Sequence, residues 1–168
     1  MYLGVDPALD SVGVASWESG AWGLAHVDGI EEMGACPLLV SFWEDPDVRI
    51  VAAIERAAVY LPGVGRRFAA SQGASSRVEA LLRKRFPRRS VVQRVNVGQW
   101  RTALFGKGWR QDGDDPKGGA ERYFTQVLGL RVPDGIRKGA HSDVWEAACL
   151  CEYARRVVAL QQAARPSR

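Results

Sequence analysis

The chain has 168 residues, 46% of them hydrophobic and 25% charged, which suits one folded domain with a sizeable core and excludes wholesale disorder. No window approaches the roughly 18 uninterrupted apolar residues of a membrane span, and the opening MYLGVDPALD lacks the basic and long apolar stretches of a secretory leader. The net charge of +4 conceals a segregation: residues 1–55 hold ten acids and one base, and residues 56–111 hold thirteen bases and one acid.

Tyr2 to Asp6 is a short apolar run that reads as a buried strand stopped by Pro7. Ser11 to Trp17 and Ala21 to Val27 read as two more strands joined by a turn at Glu18–Ser19–Gly20, so an antiparallel meander opens the chain. A helix is expected over Glu31 to Trp43, weakened at Gly34 and Pro37. Val48 to Ile54 is almost wholly apolar and β-branched, as in a central strand covered on both faces. Residues 57–73, with Pro62, Gly63, Gly65 and Gly73, read as a loop or broken helix.

Ser75 to Phe86 has the spacing of an amphipathic helix, with Val78, Leu81, Leu82 and Phe86 on one face. A strand over Ser90 to Val97 follows, then a short helix to Phe105. Pro116 opens a helix that runs to about Leu128 and is closed by Gly129. The last helix is expected from Ser142, as N-cap, to about Gln162. Together these elements make an α/β fold, a mixed sheet flanked by helices, occupying residues 1–163 as one domain with a frayed basic tail at 164–168.

Two carboxylates sit where apolar strands end. Asp6 ends Leu3-Gly4-Val5-Asp6, and Glu55 ends Ile50-Val51-Ala52-Ala53-Ile54-Glu55. Charge inside such strands is costly unless it is paired or binds a metal. If the strands are parallel neighbours, both acids emerge at the edge where α/β sheets gather their ligands. In His141-Ser142-Asp143-Val144-Trp145-Glu146, Asp143 and Glu146 lie three apart and share a helix face. The small residues Ala147, Ala148, Cys149 and Cys151 that follow allow this helix to pack closely on the sheet. Four acids at one edge repel unless divalent cations neutralise them, and hard oxygen donors favour Mg²⁺ or Mn²⁺ over zinc. The bland alternatives are a turn acid at Asp6, helix N-terminal complementation at Asp143 and Glu146, and a capping role for His141.

Residues 80–111 contain nine bases and no acid, and 19 of the 23 bases in the chain are arginine. Such a stretch calls for a polyanionic partner, with nucleic acid the expected one; Arg77, just before the stretch, and Arg83, Lys84, Arg101 and Arg110 within it are among the bases offered to it. A GC-rich genome explains a preference for arginine over lysine, but not the lack of acids. Cys36, Cys149 and Cys151, an odd number, make no disulfide framework and fit buried thiols in a reducing cytoplasm.

Leu3-Gly4-Val5-Asp6-Pro7, Val12-Gly13-Val14-Ala15, the strand ending in Ile54-Glu55, and His141-Ser142-Asp143-Val144-Trp145-Glu146-Ala147 come in the order of the acidic motifs of a known family. Over roughly residues 1–155 the chain resembles the RuvC-like Holliday junction resolvases of the RNase H-like superfamily, particularly their phage-encoded branch. Ala8 stands where that family usually has glycine, and Glu146 where it usually has aspartate.

The resemblance implies an RNase H-like fold with a five-stranded mixed sheet, a homodimer, and paired Mg²⁺-dependent nicks across a four-way junction. It also implies two ions per active site, with Asp6 bridging them and Glu55, Asp143 and Glu146 completing their shells, so that water is activated and the leaving oxygen stabilised. His141 would orient the water or join a shell. Lys107 and Lys117 resemble family lysines that hold DNA near the metals. Tyr60 or Phe68, on the loop with Arg66 and Arg67, would stack on bases at the branch point. A broader flap and fork nuclease and a non-catalytic junction binder are the alternatives. An ATPase of the related actin-like fold lacks a glycine loop with its phosphate-binding lysine.

Overall fold

The structure, a computed structural model, describes residues 1–8, 10–43, 45, 47–56, 65–107 and 116–164, with the backbone alone at 43, 65–72, 116, 117 and 162. Five strands form one sheet: β1 (Tyr2–Pro7), β2 (Val12–Glu18), β3 (Ala21–Val27), β4 (Ile50–Arg56) and β5 (Ser90–Asn96), in the order β3-β2-β1-β4-β5. The first three are antiparallel and form the expected meander. β4 runs parallel to both β1 and β5.

The alternation of side chains along a strand assigns each residue to one of two covered faces. Leu3, Val5, Val12, Val14, Ala52 and Ile54 point to one face, where they pack with Met33, Leu39, Val78, Leu82 and Phe86. Those partners come from α1 (Ile30–Met33), α2 (Pro37–Trp43) and α3 (Gly65–Arg85), with Phe86 just past the end of α3. Ala15, Ala53 and Val95 point the other way, onto residues of α4 (Val97–Phe105), α5 (Pro116–Arg122) and α6 (His141–Tyr153). Cys36, Cys149 and Cys151 are free and buried. Among the described residues, no helix is long and apolar enough to cross a membrane.

Four boundaries depart from the sequence expectation. The helix expected over Glu31–Trp43 is two, because the chain breaks at Gly34–Cys36 and Pro37 opens the second, a position that needs no backbone N–H. α3 begins at Gly65, ten residues earlier than expected, and carries Gly73 in its interior. α5 passes into a wider π turn over Tyr123–Val127, and α6 into another over Ala154–Val158 before α7 (Ala159–Ala163). α6 starts at His141 behind a 3₁₀ turn (Lys138–Ala140), with Ala140 rather than Ser142 at the cap position. The Ser142 hydroxyl is therefore inside the helix, donating to Asp143 Oδ1 at 3.3 Å.

Candidate active site

The pairing Val5↔Ile54 in the parallel β1–β4 ladder carries Asp6 and Glu55 side by side to the carboxyl ends of adjacent strands. Both follow the alternation onto the α6 face. On the other side of β1, Asp6 pairs with Gly13, and Gly13 in turn pairs with His26 of β3. A Cβ at Gly4 would stand 2.0 Å from the carbonyl oxygen of Ala147, and one at Gly13 would stand 2.1 Å from that of Asp143. Only glycine permits this approach, which lays the backbone of α6 directly on β1 and β2.

The result is a cluster of carboxylates around a buried one. Asp6 is 8% exposed and Glu146 also 8%. Burial pushes the Asp6 carboxyl well above the ordinary carboxylate range, and the charges of Glu55, Glu146 and Asp143, with a hydrogen bond to Glu146, push it the same way. The three outer acids have partners of their own. Asp143 Oδ2 accepts from Ser11 Oγ at 2.9 Å and stands 3.5 Å from His26 Nε2. Glu55 Oε2 accepts from the indole Nε1 of Trp100 at 2.9 Å. Glu146 is paired with Arg101.

Oxygen donors of this kind, gathered around an acid that burial and neighbouring charge disfavour as an anion, fit a hard divalent cation. Among the described residues, no three His, Cys, Asp or Glu side chains already stand at metal-holding spacing. Glu146 is drawn onto Arg101 and Glu55 onto Trp100 instead.

The other sequence candidates fall in four groups. Arg101 is a correction. Expected on the DNA-binding surface, it is 3% exposed and points inward, because Glu146 gives its guanidinium a buried partner. Arg77, Arg83, Lys84 and Lys107 are exposed. Of these, Arg77 lies 3.5 Å from Glu31 and Arg83 3.0 Å from Glu79. Tyr60 and Arg110 lie outside the described residues, as do the side chains of Arg66, Arg67, Phe68 and Lys117. His141 turns Nε2 toward the carbonyl of Ile136 at 3.1 Å and sets its ring edge-on to Trp145.

Sequence reasoning passed over Ser11, His26, Trp100 and the inward role of Arg101. A signal for His26 was available. Trp22, Leu24 and His26 share one phase of the β3 alternation, and Leu24 packs on α6.

No family model and no curated protein matches the sequence. In three dimensions the chain is similar to T. thermophilus RuvC in complex with a Holliday junction substrate, with a TM-score of 0.56 over 92% of this chain and 94% of that one. The fold is RuvC's, of the RNase H-like class. Sequence identity is 14%, so the likeness is one of architecture.

Proposed function

We propose that this protein is a divalent-metal-dependent endonuclease that resolves four-way DNA junctions by paired symmetric nicks, acting as a homodimer. The observation that carries the reading is the convergence of Asp6, Glu55, Asp143 and Glu146, residues up to 140 positions apart in the chain, on one sheet edge. Their order and placement in a RuvC fold support it, as does a structural neighbour solved with a Holliday junction.

Asp6, Glu55, Asp143 and Glu146 would hold Mg²⁺ or Mn²⁺, two ions per site. When bound, such ions supply an activated water and offset charge on the leaving oxygen of a phosphodiester. The protein's own part is to fix the acids: Trp100 orients Glu55, and Ser11 orients Asp143, with His26 standing beside it. Lys107, exposed just beyond α4, together with Lys117, would meet the phosphate at the site. Tyr60, Phe68, Arg66 and Arg67 would engage the branch point, with Arg77, Arg83, Lys84 and Arg110 along the DNA backbone. A twofold dimer supplies the second nick that resolution needs.

The Arg101–Glu146 ion pair favours a second reading, a junction-binding module without chemistry, since one acid is already neutralised. One assay separates the two. Asp6→Asn is expected to abolish Mg²⁺-dependent nicking of a mobile four-way junction while binding persists or strengthens, because a negative charge is removed beside DNA. A parent that binds the junction tightly and never nicks it would establish the binding module. Equal cutting of junction, flap and plain duplex would refute junction selectivity and leave a broader branched-DNA nuclease.

A further inference from the structure

Among the described bases, Arg101 alone is buried. It follows Trp100 on α4, and the two consecutive side chains reach different acids of the cluster. Trp100 donates to Glu55 and Arg101 pairs with Glu146, whose side chain is 10% exposed against 4% for that of Arg101. A guanidinium stays charged at any working pH, and burying one without a carboxylate partner is strongly unfavourable. The cluster in turn places Glu55, Glu146 and Asp143 around Asp6, with mutual repulsion as the consequence. The fixed positive charge of Arg101 relieves that repulsion. The same charge occupies a Glu146 oxygen and opposes any cation that enters.

We propose that Arg101 is the built-in counter-ion of the carboxylate cluster, holding Glu146 while no divalent cation is bound and releasing it when one binds. This rests on the reading above that the cluster takes divalent cations. Arg101 is then a positioning residue that acts through Glu146. It sets metal affinity and keeps the empty site folded, and it contributes no contact to DNA. Its burial, alone among the described bases of the run 80–111, follows, since an arginine of α4 lies within reach of the first turns of α6.

The test is Mg²⁺ binding to the full chain without DNA, followed by calorimetry and by the metal-induced rise in melting temperature. Arg101→Met is expected to melt lower than the parent without metal, yet to bind Mg²⁺ about tenfold more tightly, equivalent to about 1.4 kcal/mol. Arg101→Lys keeps the charge and is expected to bind Mg²⁺ like the parent. If Arg101→Met binds Mg²⁺ equally or more weakly, Arg101 is an ordinary structural ion pair and the inference fails while the nuclease reading stands. If the parent binds no divalent cation, both fail together.

Should Arg101→Met not fold, the parent still decides. The Arg101 guanidinium N–H resonance, assigned by its loss in Arg101→Lys, is expected to shift during a Mg²⁺ titration with the calorimetric midpoint. A resonance that stays put at metal saturation overturns the proposal.

Discussion

Replacing Gly13 with alanine places a methyl carbon 2.1 Å from the carbonyl oxygen of Asp143 and 2.4 Å from its carbonyl carbon. Both are backbone atoms, so no side-chain rotation relieves the clash. Ordinary contact begins near 3.4 Å, and the first turn of α6 has to retreat from β2 by about 1.3 Å to restore it. Overpacking of this kind costs about 1–3 kcal/mol, and a backbone clash belongs at the upper end. At about 2–4 °C per kcal/mol for a chain of this size, the melting temperature should fall by about 6–12 °C. The same retreat stretches the 2.9 Å bond from Ser11 to Asp143 beyond hydrogen-bonding range. A misplacement of about 1 Å at a reacting centre costs about a hundredfold in rate. Calorimetry of the variant, with single-turnover nicking of a four-way junction, reads both effects. A Gly13→Ala protein that melts and nicks like the parent would refute the close approach of α6 to β2.

Trp100→Phe keeps a ring in the fully buried position beside Phe105 but removes the donor to Glu55. Chemical unfolding should show a loss of about 1–3 kcal/mol and nicking should fall about 10–100-fold; unchanged nicking would show that Glu55 needs no such donor. Gly73→Ala adds a methyl group with nothing within 4 Å inside α3, and should raise stability by about 1 kcal/mol; a lower melting temperature would contradict a continuous helix. Glu152 is fully buried between Arg155 and Arg156. Burial pushes its carboxyl up, but hydrogen bonds from both arginines and their charges outweigh this and hold it below the ordinary value of 4.5. A depressed folded value stabilises the protein above the unfolded one, and that stability is lost as pH falls through the folded value. Glu152→Gln should therefore be less stable than the parent at neutral pH and converge with it below about pH 4.5, whereas parallel curves of urea stability against pH would refute the assignment.

Much of the sheet was legible because strand alternation is a local property. The apolar run into Asp6 and the run into Glu55 each announce a covered strand with an acid at its end, and the parallel β1–β4 ladder sets them side by side. What stayed hidden depends on partners distant in sequence. Arg101 stands in an acid-free run, where a surface role is the reasonable inference, and only Glu146, 45 residues on, turns it inward. The early start of α3 was hidden for a related reason. Gly73 is a poor helix residue, but Ala74, Val78 and Leu82 are buried in the core beneath β4, and that packing outweighs the local preference. Ser142 reads as a cap by its type, yet the 3₁₀ turn at Lys138–Ala140 leads into the helix and puts the cap position two residues earlier, at Ala140.

The distance between α6 and the sheet is what turns four separate acids into one site. A helix normally rests on a sheet through a layer of side chains. Here Gly4 and Gly13 remove that layer from the strands, and Ala147, Ala148 and Cys151 keep it thin on the helix. Any larger residue at those positions lifts α6, and Asp143 and Glu146 rise with it, away from Asp6. Burial holds Asp6 above its ordinary range and the neighbouring charges add to it; that added charge falls as they leave, and with it the need for a counter-ion, whether Arg101 or a metal. Close packing and high charge density are thus one property of this fold. The glycines that read as ordinary strand residues therefore belong to the site as much as the acids do.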